Sequence, residues 1–201
     1  MTVYRARWVV PVSSAPVRDG WVAADGGRIV ACGGSGDPRP AGAQVDLGDV
    51  ALMPGLVNAH THLELSHLAG CVPSAPRFTE WVSGVMASRR AGQEPDPAVV
   101  AQGIADGIAQ AVACGTALVG DISNTLATVE PLGRSPLAAV VFEELIRFRT
   151  SDPAGVVAQA CETLAALPRF EHVRVGLAAH APYSVSPGVW RAIREAAERL
   201  G

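Results

Sequence analysis

His60 and His62 stand one residue apart in the stretch MPGLVNAHTHLELS, Met53 to Ser66, at the end of an apolar run in a chain with only five histidines. Residues two apart on a β-strand project to the same side. Both imidazoles are therefore expected to leave the C-terminal end of one strand together. Such a pair can serve a divalent metal, and zinc takes His nitrogen at about 2.0–2.1 Å. The same spacing also suits a polar turn in which Thr61 and the histidines bond to the backbone. Two ligands do not complete a site, so the rest of the chain must supply more.

The elements around the pair follow from local pattern. Residues 1–50 are rich in turns. YRARWVVP predicts a short strand, Trp21 to Ala24 and Arg28 to Cys32 a hairpin around Asp25-Gly26-Gly27, and QVDLGD a further short strand. From residue 51 to 201 strands alternate with helices. ALMPGLVNAH predicts one buried strand ending at the histidines, and FTEWVSGVMASRR a helix. Asp96-Pro97, Asp152-Pro153 and Ser186-Pro187 open further helices, with Gly115 stopping the first of these. In the last helix Val189, Trp190, Ile193, Ala197 and Leu200 form an apolar stripe. TALVGDI, PLAAVVFEEL and VRVGLAAHAPYS complete four strands. Their continuous apolar character predicts a parallel sheet buried on both faces, in a doubly wound sheet or a (β/α) barrel.

Composition narrows the function classes. The chain has 201 residues, 49% hydrophobic and 17% charged, with a formal net charge of -3. That is a globular composition, and no basic patch points to nucleic acid or to an anionic membrane. The start lacks the apolar core of a signal peptide, and no run approaches the roughly 18 apolar residues of a spanning helix. Cys32, Cys71, Cys114 and Cys161 form no CxxC pair and are expected to be buried, reduced thiols. A cytoplasmic location is expected.

PGLVNAHTHLELS resembles the first-strand motif of the amidohydrolase superfamily, in its nucleobase and nucleoside deaminase and chlorohydrolase branch. The N-terminal β module, GTALVGDISN and HAPYSVSP agree with that branch in order and spacing. HTHLELSHLAG, FTEWV and VVFEEL are most similar to aminodeoxyfutalosine deaminases of the futalosine route to menaquinone. The resemblance implies an α/β fold: the N-terminal portion of a (β/α)8 metal-dependent hydrolase barrel over residues 51–201, preceded by a small β-sandwich module over residues 1–50. It also implies a divalent metal, zinc first and iron second, held in part by His60 and His62. That metal turns water into hydroxide near neutral pH, which attacks the carbon bearing the amine of a purine-like nucleoside and releases ammonia. Guanine- or adenosine-type deaminases and triazine chlorohydrolases share the framework and are the alternatives within the superfamily.

The resemblance places His180, at the end of VRVGLAAH, on a ring nitrogen of the substrate; a buried structural histidine and a metal ligand are the alternatives. Glu144 ends the strand VVFEEL, where its carboxylate either binds ribose hydroxyls or a ring N–H or is solvated or supports other groups. Glu64 either reaches the pocket or pins a loop. Ser123 and Asn124 are polar wall candidates, Trp81 is a pocket lid or a core residue, and His67 and His172 are loop or surface residues.

The family pattern continues with a strand ending in HxxE, then a histidine, then an aspartate. No histidine follows His180, and the only acidic residues after it are Glu195 and Glu198. A full barrel also takes about 250 residues. The expectation is therefore the N-terminal part of a longer deaminase, with the general acid/base glutamate and metal aspartate outside it. The 201 residues alone are expected to show little catalysis and to aggregate, to form a homo-oligomer, or to pair with a complementing C-terminal segment. A non-catalytic remnant or split-protein subunit is the alternative of another class.

Overall fold

The computed structural model describes residues 1–90 and 95–200, the side chains of 89, 90 and 200 excepted. Two compact units are present, Met1–Gly55 and Leu56–Gly201.

The first unit is one mixed sheet of β1 (Thr2–Val9), β2 (Val17–Asp25), β3 (Arg28–Gly33), β4 (Ala43–Asp46) and β5 (Ala51–Leu52). The order is β3-β2-β1-β4, and β5 also pairs with β1. β2 runs antiparallel to β1 with Val3 opposite Ala23, and β4 and β5 run parallel to β1. Val3, Trp21 and Ala23 form its buried cluster, and Trp21 Nε1 donates to the Gly34 carbonyl at 2.9 Å. The hairpin turns at Gly26 and Gly27, with φ of 52° and 76°, the left-handed pair that a two-residue turn requires. A sheet facing this one, as a sandwich would have, is not among the described residues.

The predicted strand ALMPGLVNAH is in fact divided. Ala51–Leu52 joins the first sheet, and the second unit opens with β6 (Leu56–Thr61). Between them lies Pro54, which has no N–H for a ladder.

The second unit continues with a 3₁₀ turn (Leu63–Leu68), α1 (Phe78–Arg90), α2 (Pro97–Ala113), β7 (Thr116–Ser123), α3 (Val129–Gly133), β8 (Ala138–Leu145), α4 (Pro153–Ala165), β9 (Val173–Ala179) and α5 (Pro187–Leu200). Its four strands are parallel in the order β6-β7-β8-β9, as the repeated strand-helix pattern predicts. The helix starts work as read. Asp96 accepts from Ala98 N and Asp152 from Gly155 N, each at 2.8 Å. Gly115, at φ 81°, turns the chain after α2.

Burial corrects three expectations. The inner strands carry the core, with Val119, Ala139 and Val141 buried alongside Leu63, Ile104, Ile108 and Leu132. Among the described residues β6 pairs on one side only, with β7, and Val57 is 63% exposed, so burial on both faces fails there. In α5 the packed face runs through Val189, Ala192, Ile193 and Ala196, spaced i, i+3, i+4, i+7. Trp190 is 42% exposed and Ala197 also faces out, so the stripe lies one step from its predicted line; the Leu200 side chain lies outside the described residues. Thirdly, the four cysteines are free as expected, but Cys32, Cys71 and Cys114 are exposed.

Two glycines inside α2 let it press onto the 3₁₀ turn. A Cβ on Gly103 would lie 2.5 Å from His67 N, and one on Gly107 would lie 2.5 Å from Ser66 Oγ. Among the described residues no helix is long and apolar enough to cross a membrane.

Candidate active site

His60 lies within β6, and His62 follows its end as the residue that opens the 3₁₀ turn, at φ -127° and ψ 78°. Their ring centroids are 5.1 Å apart with an interplanar angle of 79°. The rings are neighbours at the C-terminal end of the strand. Asn58 Oδ1 accepts from His60 N at 3.2 Å, a local brace on the backbone carrying the first ring.

The brace on the second comes from β7. Thr61 stands opposite Asp121 in the parallel ladder, which brings the Asp121 carboxylate beneath the start of the turn. Asp121 is fully buried. Its Oδ1 accepts from Leu63 N at 2.8 Å and its Oδ2 from Thr128 Oγ1 at 2.6 Å. The residue directly after His62 is thus pinned by a carboxylate 58 positions later. Burial pushes the Asp121 carboxyl above its ordinary value and the Glu64 charge adds to this; the bonds from Thr128 and Leu63 and the nearby His62 pull against it without cancelling it.

Glu64, 4% exposed, binds the next loop. Its carboxylate accepts from Ser123 Oγ (2.8 Å), Asn124 N (3.0 Å), Thr125 N (3.1 Å) and Thr125 Oγ1 (2.7 Å). Burial opposes the charge, but the donors of Thr125, Ser123 and Asn124 outweigh it and hold the carboxyl below the usual glutamate value. Asn124 then passes the link outward, its Nδ2 donating to Glu144 Oε2 at 3.1 Å and to the Glu144 carbonyl at 3.3 Å. The ends of β6, β7 and β8 are joined by one polar chain through Glu64, Ser123, Asn124 and Glu144.

His180 follows the end of β9. Its backbone N donates to Leu145 O at 3.2 Å, its ring is exposed, Ser184 Oγ lies 2.6 Å from Nδ1, and the Tyr183 ring meets it edge-on at 5.9 Å. The other residues singled out make different contacts. His67 Nδ1 lies 2.9 Å from the Glu64 carbonyl and His172 Nε2 lies 3.2 Å from the Leu132 carbonyl. Trp81 is largely exposed against Phe78, with ring centroids 5.8 Å apart.

His60 and His62 set two imidazoles side by side, the donor type that zinc accepts. Among the described residues, no group of three or more His, Cys, Asp or Glu could hold a metal ion, whereas a catalytic zinc takes three protein ligands. Sequence reasoning missed Asp121, Thr125 and Thr128. The one available signal was an aspartate inside the apolar strand TALVGDI, since a charge buried in such a strand must have partners.

The amidohydrolase family profile matches residues 51–201. A 5-methylthioadenosine/S-adenosylhomocysteine deaminase of Nitratidesulfovibrio vulgaris is 30% identical over 218 residues, covering 100% of this chain and 47% of that protein. An adenosine deaminase of Helicobacter pylori is 34% identical over 136 residues, 67% of this chain and 32% of that protein. Among solved structures, Helicobacter pylori aminofutalosine deaminase in complex with methylthio-coformycin superposes with a TM-score of 0.79 at 25% identity, covering 100% of this chain and 49% of that one. Atrazine chlorohydrolase from Arthrobacter aurescens TC1, complexed with zinc, gives 0.77 at 19% identity over 100% of this chain and 51% of that one, a likeness of fold. The chain spans about half the length of these relatives, or less.

Proposed function

Because the chain belongs to the amidohydrolase family, we propose that it serves a metal-dependent hydrolytic deaminase, acting on C–N bonds other than peptide bonds, that releases ammonia from a purine-like nucleoside. The carrying observation is the His60–His62 ring pair, 5.1 Å apart where the first parallel strand ends. Active sites of (β/α) barrels are built at that end of the strands. His60 and His62 would hold one divalent ion, zinc first and iron second. Bound there, the ion supplies the Lewis acidity that makes water a nucleophile near neutral pH.

The remaining roles belong to the chain's own groups. Glu144, held by Asn124 Nδ2, is the proposed acceptor for ribose hydroxyls or a ring N–H. His180 is the proposed partner of a ring nitrogen. Glu64 serves the substrate from behind: its carboxylate is occupied by the 123–125 loop, so its influence runs through Asn124 to Glu144. The described residues offer two of the three protein ligands that a catalytic zinc takes. We infer that residues 1–201 by themselves release little ammonia.

Within the nucleosides, FTEWV, VVFEEL and the likeness to the aminofutalosine deaminase support aminodeoxyfutalosine. The greater identity to the Nitratidesulfovibrio protein favours an adenosine-type substrate as the second reading. The test is ammonia release from aminodeoxyfutalosine, 5-methylthioadenosine, S-adenosylhomocysteine and adenosine. It compares the zinc-loaded chain alone with the chain joined to the portion of that relative it does not match. The joined protein should release ammonia, and His60→Ala and His62→Ala should each abolish it. A joined protein that folds, binds zinc and leaves every nucleoside intact would overturn the proposal.

A further inference from the structure

We propose that Ser184 is a positioning residue that fixes the tautomer of His180, so that the imidazole presents an Nε2–H donor at the end of β9. The argument is a count of lone pairs. Ser184 Oγ lies 2.6 Å from His180 Nδ1 and 3.1 Å from the Ala181 carbonyl, and its single proton can serve one of them well. A carbonyl oxygen has two lone pairs. Ala181 O already receives the backbone N–H groups of Ser184 and Val185, each at 3.0 Å. A third donor there adds little, whereas Nδ1 has no other donor within reach in this turn. The hydroxyl proton therefore goes to Nδ1, and the ring's own proton sits on Nε2.

The turn is built to hold this arrangement. The Ser184 and Val185 N–H groups close on Ala181 O, Val185 is fully buried, and Tyr183 covers one side of the ring edge-on. Ser184 has little freedom to turn away. An Nε2–H donor selects a heterocycle that offers an unprotonated ring nitrogen, and it disfavours one that offers an N–H at the same place. It also leaves neither ring nitrogen with a lone pair free for a metal. This substrate preference rests on the deaminase reading; the tautomer does not.

The test is the ¹⁵N–¹H correlation spectrum of the histidine-labelled full chain at about pH 8.5, well above the ordinary imidazole range, with His180 assigned through His180→Gln. The expected spectrum has His180 Nε2 protonated and Nδ1 not. Ser184→Ala should move both resonances toward the tautomer average, and Ser184→Thr, which keeps the hydroxyl, should restore the wild-type pattern. A wild-type ring protonated on Nδ1 overturns the inference without any variant, and so does a Ser184→Ala spectrum identical to wild type. In the joined protein Ser184→Ala should lower kcat/KM for a purine nucleoside about tenfold, one hydrogen bond's worth. An intact Nε2–H signal in a protein that releases no ammonia supports the tautomer and counts against the deaminase reading instead.

Discussion

Thr125 gives both its backbone N–H and its hydroxyl to one oxygen of Glu64, at 3.1 and 2.7 Å, across 61 positions of sequence. Ser123 and Asn124 add theirs, so an acid beside the histidine pair becomes the anchor of the loop that follows β7. Hydrogen bonds to a buried charge are worth more than neutral ones, which is why the carboxyl is held below its ordinary value despite its burial.

Glu64→Gln removes the charge and keeps the shape. Chemical denaturation near neutral pH should show a loss of about 1–3 kcal/mol. A carboxyl whose folded value is lowered contributes stability that is present above the unfolded value and lost as pH falls through the folded one. The gap between wild type and Glu64→Gln should therefore close as the pH drops below the ordinary glutamate range. A gap that stays constant as the pH falls well below that range would refute the charge-based account.

Asp121→Ala leaves two donors, Leu63 N–H and Thr128 O–H, without their buried acceptor. The expected loss is about 2–6 kcal/mol, at roughly 1–3 kcal/mol for each of the two donors. Asp121→Asn, which keeps an oxygen, should cost less. Because Leu63 follows His62 directly, zinc affinity measured by competition with a chelator should fall by roughly 10–100-fold in Asp121→Ala. Unchanged zinc affinity would show that this carboxylate does not position the ligand.

Gly103→Ala should destabilise the protein. In an exposed helix interior the change gains roughly 0.5–1 kcal/mol. Here the new methyl group would sit 2.5 Å from the backbone nitrogen of His67, and overpacking of that kind costs about 1–3 kcal/mol. Gly107→Ala meets a side-chain oxygen, Ser66 Oγ, and should cost less. Thermal melts of the two variants decide the order, and a stabilised Gly103→Ala would rule out the close approach.

Among the described residues the buried Glu143 Oε2 has no hydrogen-bond partner, and burial pushes its carboxyl upward. A group raised in the folded state contributes stability that is complete below its unfolded value and lost as pH rises through its folded value. Glu143→Gln should therefore be more stable than wild type near neutral pH, by roughly 0.5–2 kcal/mol, and the advantage should vanish in acid. Denaturation curves at acid and neutral pH test this, and wild type matching the variant at neutral pH would contradict it.

What could be read from the sequence was what local chemistry decides. Asp96 and Asp152 cap their helices because the partner N–H groups lie two or three residues on, and Gly26-Gly27 turns a hairpin because two consecutive residues must take positive φ. The twin histidines were legible because strand geometry has a period of two. The placement of Glu64 was not, since Ser123 is 59 positions away and no local rule reaches that far. Nor was the exposure of β6 or of Trp190, because an apolar pattern states what a residue prefers and not which neighbours are there to cover it. The division at Pro54 and the 3₁₀ turn after His62 were not legible either, because the apolar run continues on both sides of the proline and past the histidines.

Asn124 faces two ways: its main-chain N–H serves Glu64 and its side-chain amide serves Glu144. The first link survives any residue other than proline at that position, while the second depends on the amide. The two links are thereby chemically independent: a substitution that removes the amide breaks the bond to Glu144 and leaves the main-chain bond to Glu64 in place.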